Sequence, residues 1–316
     1  MIPTRAANRR RMGILGAALA LIAAITFFMP SPALATDPKV FATPEEAAKA
    51  ILDAAASDDL NAIWSVLGDQ FRDQLENPDE AQERENRRQI VDNAKESLQL
   101  RADDEKTRVM VIGKDAWPMP IPIVKGDNGW YFDVGAGADE ILARRIGANE
   151  LAAVGNLRAY VDAQVQYASE DRDGDGVLEY AQKINSTPGK MDGLYWEVAP
   201  GSGDEASPFG PFVAEKSAYL AGHDAGDPFM GYYYRIITRQ GDNAPGGRYD
   251  YIINGNMIGG FAMIAWPADY ANSGVMTFIV NQQGKVYQKD LGEKTEVNAA
   301  AIQEYDPDSS WTEVKD

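Results

Sequence analysis

The spacing of apolar residues changes period three times along this 316-residue chain, and that succession leaves few folds open. After Thr43-Pro44-Glu45-Glu46, the residues Ala47, Ile51, Leu52 and Ala55 recur at helical spacing. Thr43 can cap that helix, Pro44 suits its first turn and Glu46 can close a capping box. A second short helix is predicted from Leu60 to Leu67 and a third, highly charged one from Glu80 to Leu98. The period then falls to that of strands at Thr107 to Ile112, Pro120 to Lys125 and Gly129 to Val134, the last two forming a hairpin around Asp127-Asn128-Gly129. Helical spacing returns from Glu140 to about Ser169 through Ile146, Leu157, Val161, Val165 and Ala168. Gly147 and Gly155 weaken it, so two helices joined near Gly147 are an alternative. Strand patterns close the chain at Gly231 to Arg239, Tyr249 to Ile253, Gly260 to Trp266, Met276 to Asn281 and Lys285 to Lys289.

This order predicts an α+β protein. Helices cover a small antiparallel sheet in an N-terminal domain, 36–137, and one long helix packs on a second antiparallel sheet in a C-terminal domain, 138–316. Gly135-Ala136-Gly137-Ala138 reads as the hinge between them. No internal repeat of fixed period is found, and no segment after the N-terminus approaches membrane-spanning length.

Residues 1–35 read as a secretory signal peptide. Arg5, Arg9, Arg10 and Arg11 precede an apolar run from Gly13 to Phe28, and Ala33-Leu34-Ala35 supplies the small-x-small cleavage pattern. An uncleaved anchor is the competing reading, although the run is shorter than the roughly 20 residues that span a bilayer. Pro30 and Pro32 favour cleavage, which predicts a periplasmic or extracellular protein with no stable membrane span. Removing four arginines and no acid leaves 26 basic residues against 48 acidic ones, and takes the charge from -18 to -22. Nucleic acids and anionic headgroups need clustered Lys and Arg, so neither is an expected partner. An envelope protein is.

The chain has no Cys and a single His, which removes disulfides, thiol nucleophiles, thiolate metal sites and multi-histidine centres. The sharpest local motif is Asp171-Arg172-Asp173-Gly174-Asp175-Gly176-Val177-Leu178-Glu179. Calcium favours several hard oxygens, and carboxylates at loop positions one, three and five converge when a glycine at six permits the turn. Asp171, Asp173, Asp175, the Val177 carbonyl and Glu179 are the candidate Ca²⁺ ligands. Gln182 stands where a bidentate Glu would complete an EF-hand. The competing reading is a solvated acidic turn, and any ion here would clamp a loop rather than catalyse.

No catalytic residue is assigned. His223, beside Asp224 in a polar loop, lacks a serine nucleophile in a strained strand–turn–helix context and reads as an ordinary loop residue. Ala244-Pro245-Gly246-Gly247 lacks the Lys-Ser/Thr of a phosphate loop. Tyr195, Trp196, Phe209, Phe212 and Tyr232 are the candidate binding surface, against the alternative that these aromatics pin their own loop to the sheet.

Several segments together carry a family pattern: Trp117-Pro118-Met119-Pro120-Ile121-Pro122, Arg144-Arg145-Ile146-Gly147, Arg158-Ala159-Tyr160-Val161, Asp192-Gly193-Leu194-Tyr195-Trp196, Gly231-Tyr232-Tyr233 and Ser273-Gly274-Val275-Met276-Thr277-Phe278. Over nearly the whole mature chain they resemble the bacterial family called domain of unknown function 2950. The resemblance implies an exported protein and brings no activity with it. The helix ending in Ala163-Gln164-Val165-Gln166-Tyr167-Ala168 and the strands after it are also similar, distantly, to type IV pilin and pseudopilin heads. Pilins, however, begin that helix with a very apolar N-terminal half, whereas here a whole domain precedes it.

These features predict a non-enzymatic role in binding or assembly at the cell envelope. The alternatives are a hydrolase using acidic residues in an interdomain cleft and a calcium-stabilised structural component.

Overall fold

The computed structural model describes residues 36–57, 59–172, 174–199, 205–216 and 226–315, which all fall in one compact unit, 35–316. The fold is α+β. Thr43 caps the first helix, α1 (Pro44–Ala55): its Oγ1 accepts from the Glu46 N–H at 3.2 Å, while Glu46 accepts from the Ala42 N–H at 3.1 Å. Next come α2 (Leu60–Leu67), capped by Asp59, then a single turn α3 (Arg72–Leu75) and α4 (Glu80–Glu96), capped by Asp79. The expected third helix therefore stops two residues early, because Leu98 already belongs to a strand.

The first sheet has β1 (Leu98–Ala102), β2 (Thr107–Ile112), β4 (Ile123–Gly126) and β5 (Gly129–Phe132) in that order, with the short β3 (Trp117–Pro118) beside β2. The expected hairpin is present, pairing Gly126 with Gly129. Ala47, Met110, Ile123, Phe132 and Val134 are among the residues of the core between this sheet and α1 and α2.

The long helix α5 (Val134–Tyr167) runs unbroken for 34 residues. The expected hinge at Gly135–Ala138 is instead its first turn, and there is no joint at Gly147. Helix propensity alone disfavours those glycines. Gly137 has a packing reason: a Cβ there would stand 2.7 Å from the Pro120 carbonyl oxygen and 2.9 Å from the Ile121 Cα.

After α6 (Gly210–Glu215) the chain builds a second sheet from β6 (Tyr232–Ile237), β11 (Ala262–Pro267), β12 (Met276–Asn281), β13 (Tyr287–Asp290) and β14 (Thr312–Glu313), in the order β14-β13-β12-β11-β6. Between β6 and β11 lie two small ribbons, β7 (Arg239–Gln240) with β8 (Tyr249–Asp250), and β9 (Ile252–Ile253) with β10 (Asn256–Met257). All these strands pair antiparallel. Helix α5 covers one face of the second sheet, where Asn156 donates to the Tyr234 hydroxyl. A short helix, α7 (Thr295–Ala301), covers the other, with its C-terminal carbonyls of Ala299 and Ile302 taking hydrogen bonds from Arg235. Burial on both faces explains why β11 is a continuous apolar run instead of an alternating one. Leu157 and Tyr160 of α5 enter this second core, whereas Val134 and Ala138 belong to the first. One helix thus serves both cores. No described helix is long and apolar enough to cross a membrane.

Candidate functional site

The two cores meet along a buried polar seam built on the middle of α5. Asn149, 1% exposed, donates to the Ser273 carbonyl at 2.8 Å and accepts from the Gln82 side chain at 2.7 Å. Gln82 in turn accepts from Asn77 at 3.0 Å. Asp79 uses one carboxylate oxygen to cap α4 through the Gln82 N–H (2.9 Å) and the other to accept from the Gly231 N–H (3.0 Å). One turn along α5, Arg145 donates to the Asn272 side chain and to the Leu75 carbonyl (2.5 Å), while Glu150 accepts from the Val275 and Met276 N–H groups at 3.0 Å each. Glu83 follows Gln82 on α4, within the electrostatic reach of Arg145 and Arg87. Burial pushes its carboxyl above the ordinary glutamate value, although both guanidinium groups pull it down. Burial likewise lowers the Arg145 pKa, against the pull of Glu83 and Asp269.

The acidic loop lies elsewhere, folded over the β9–β10 ribbon. Asp171 accepts from the Gly174 and Gly176 N–H groups at 2.8 and 2.9 Å. Asp175 accepts from the Val177 N–H and from the Asn256 side chain at 2.6 Å, and Glu179 accepts from the Met257 N–H at 2.8 Å. Gln182 donates to the Gly255 carbonyl at 2.7 Å. Asp173 lies outside the described residues, as do His223 and Asp224. Among the described residues no three acidic or histidine side chains are placed to hold a metal ion. Asp171, Asp175 and the Val177 carbonyl share one turn, and Glu179 is directed at the ribbon.

The aromatic candidates divide into three places. Tyr232 is fully buried, its hydroxyl donating to the Met276 carbonyl at 2.9 Å and its ring 5.9 Å from Phe278. Trp196 donates to the Glu205 carbonyl at 2.9 Å. Its ring lies 5.5 Å from the guanidinium of Arg172, which also sits 5.4 Å from Tyr167 and pairs with the Glu205 carboxylate at 2.5 Å. The neighbouring Tyr195 is held by its backbone, which exchanges hydrogen bonds with Ile184 and Ser186. Phe209 and Phe212 do come together, 5.0 Å apart, and their row continues through Phe229 and Tyr234 at 5.7 and 6.3 Å. Strand alternation in Tyr232-Tyr233-Tyr234 places Tyr234 on the α5 side with Tyr232, which was the sequence signal for extending the row.

Two open grooves of about 400 Å³ flank α7. One is bounded by β13, the end of α7 and Trp311; the other lies between Ala268–Ala271 and Glu293–Glu296. Neither contains the carboxyl raised by burial, Glu83. The residues of the first groove come from segments that carry no motif, although Trp311 is one of only six tryptophans.

No curated protein and no solved structure matches the chain. The likeness to pilin heads therefore gains no structural neighbour. A family model described as "Protein of unknown function (DUF2950)" matches residues 38–314. The chain belongs to the DUF2950 family.

Proposed function

We propose that this chain is an exported periplasmic or extracellular protein that acts by binding or assembly at the cell envelope rather than by catalysis. The observation that carries this reading is where the fold spends its acidic groups. Asp79 and Glu150 hold loops of the second sheet by their backbone N–H groups, and the Glu83 carboxyl, raised by burial, is under the influence of Arg145 and Arg87. An acid–base enzyme needs such a carboxyl at the wall of a cavity that admits substrate. The grooves instead are open and close to the surface. A helix laid on an antiparallel sheet is also compatible with a pilin-like assembly role.

Two measurements test the proposal. The N-terminus of the protein recovered from the envelope fraction should be Thr36, and immobilised 36–316 should retain one defined envelope component in proportion to its folded fraction. Turnover of a natural compound, abolished by a single carboxyl-to-amide exchange, would contradict it.

A second reading, calcium-stabilised structural component, is supported by Asp175 and Glu179 reaching across to the β9–β10 ribbon. An ion held by Asp171, Asp173, Asp175 and the Val177 carbonyl would fix that loop over the ribbon.

A further inference from the structure

We propose that the groove between the end of α7 and Trp311 is a binding site for a neutral saccharide. The inference deepens the binding role proposed above and rests on it. A sugar ring has an apolar C–H face and a rim of hydroxyls that both donate and accept. It is recognised by a flat apolar wall with side-chain amides around it. This groove brings a tryptophan, aliphatic side chains and two amides together. Leu291, Ile302 and Ile279 form its apolar lining, the half-buried Trp311 indole stands at one side, and the exposed amides of Asn298 and Gln303 stand at the rim. Its volume, about 400 Å³, is in the range of small-ligand sites.

The walls are tied from behind, so little ordering is needed on binding. Asp306 accepts from the Asn243 backbone and side chain at 2.7 and 3.0 Å, and both oxygens of Glu304 take Arg248 at 2.5 and 2.7 Å. Arg235 holds the Ala299 and Ile302 carbonyls at 3.1 and 2.5 Å. The Asn298 and Gln303 amides spend one N–H each on the Leu291 and Ala300 carbonyls. Both residues are exposed. Two carboxylates against one ammonium in the lining disfavour an anionic ligand. The lining cation, Lys289, donates to Ser310 at 2.7 Å and lies 5.7 Å over Trp311, and two carboxylates share the rim.

The test is titration of isotopically labelled 36–316 with chitotriose and with cellotriose, followed by amide and indole resonances. A saturable shift is expected at the Trp311 indole and the Asn298 and Gln303 side-chain amides, at concentrations up to about 10 mM, the weak end of specific binding. Asn298→Ala with Gln303→Ala, checked to be folded by its melting curve, should weaken binding at least about tenfold, or about 1.4 kcal/mol. Trp311→Ala should abolish it. No shift with either sugar, shifts centred elsewhere, or unchanged affinity in the double variant would overturn the inference. Retention of an envelope component by the same double variant reads the broader binding role separately.

Discussion

Asp79 and Gly231 lie 152 residues apart in the chain, yet the Gly231 N–H donates to the Asp79 carboxylate at 3.0 Å. The same carboxylate caps α4. A helix N-terminus in one core is thereby fixed to the strand entry of the other, and Asp79, 2% exposed, does both with one buried group. Replacing Asp79 by Ala should cost about 2–4 kcal/mol, the sum of a lost cap and a buried N–H left without its charged acceptor. Asp79→Asn, which keeps one acceptor oxygen, should fall between. Urea denaturation measures both. A loss of about 1 kcal/mol or less for Ala would mean that only the cap matters.

Gly231 carries φ +75°, and a Cβ there would collide with the Asn149 amide and approach Ser273. Gly231→Ala is expected to destabilise by about 2 kcal/mol or more through strain and overpacking together. Pairing it with Asn149→Ala should give less than the sum of the two, because removing the amide relieves the collision. Strict additivity would contradict the contact.

Glu83 gives the chain a pH signature. Its carboxyl lies above the ordinary glutamate value of 4.5 in the folded protein, so folded chains bind its proton more tightly than unfolded ones. Its unfavourable contribution is therefore absent below about that value and grows as pH rises through the raised one. Glu83→Gln should be more stable than the wild type at pH 8, and the difference should shrink towards pH 4. Melting temperatures across that range decide it. A variant less stable at pH 8 than at pH 4, relative to wild type, would show that Arg145 and Arg87 outweigh burial.

Arg172 is stacked against Tyr167 and Trp196, with its side chain 3% exposed and Glu205 as its ion partner. Lysine cannot reproduce a planar guanidinium between two rings. Arg172→Lys should cost about 1–2 kcal/mol, since the charge is kept, Glu205 is 41% exposed and only the stacking on the rings is lost, and should shift Trp196 emission. An unchanged spectrum with unchanged stability would remove this residue from the account of the loop.

The calcium reading predicts that chelation lowers the melting temperature and that Asp173→Ala abolishes the difference. If calcium titration leaves stability unchanged and Asp173→Ala is silent, the loop is held over the ribbon by its own hydrogen bonds alone.

Local chemistry made much of this fold legible in advance. Thr43-Pro44-Glu45-Glu46 marks the start of α1, where Thr43 and Glu46 form the expected capping box. The pattern of Thr107–Ile112 and the turn at Asp127-Asn128-Gly129 marked one strand, β2, and the β4–β5 hairpin. Gly135–Ala138 misled because glycine reads as flexibility when seen alone, whereas Gly137 is there to let the Pro120–Ile121 backbone approach. Strand β1 was hidden in a charged sequence, and α7 is only seven residues long. The seam was invisible for a different reason. Its hydrogen bonds join residues as far apart as Glu76 and Asn272, and no local pattern marks Asn149 as buried. Asp171–Glu179 was conspicuous as a motif, but only the fold places the β9–β10 ribbon beneath it.

The most direct test of the interlocked arrangement is urea unfolding of 36–316 followed by two single-tryptophan reporters, Trp130 in the first core and Trp266 beside the second. One cooperative body predicts coincident transitions with the same midpoint and slope, and their separation once Asp79 and Asn149 are both replaced by Ala. Two separate transitions with the seam intact would contradict it.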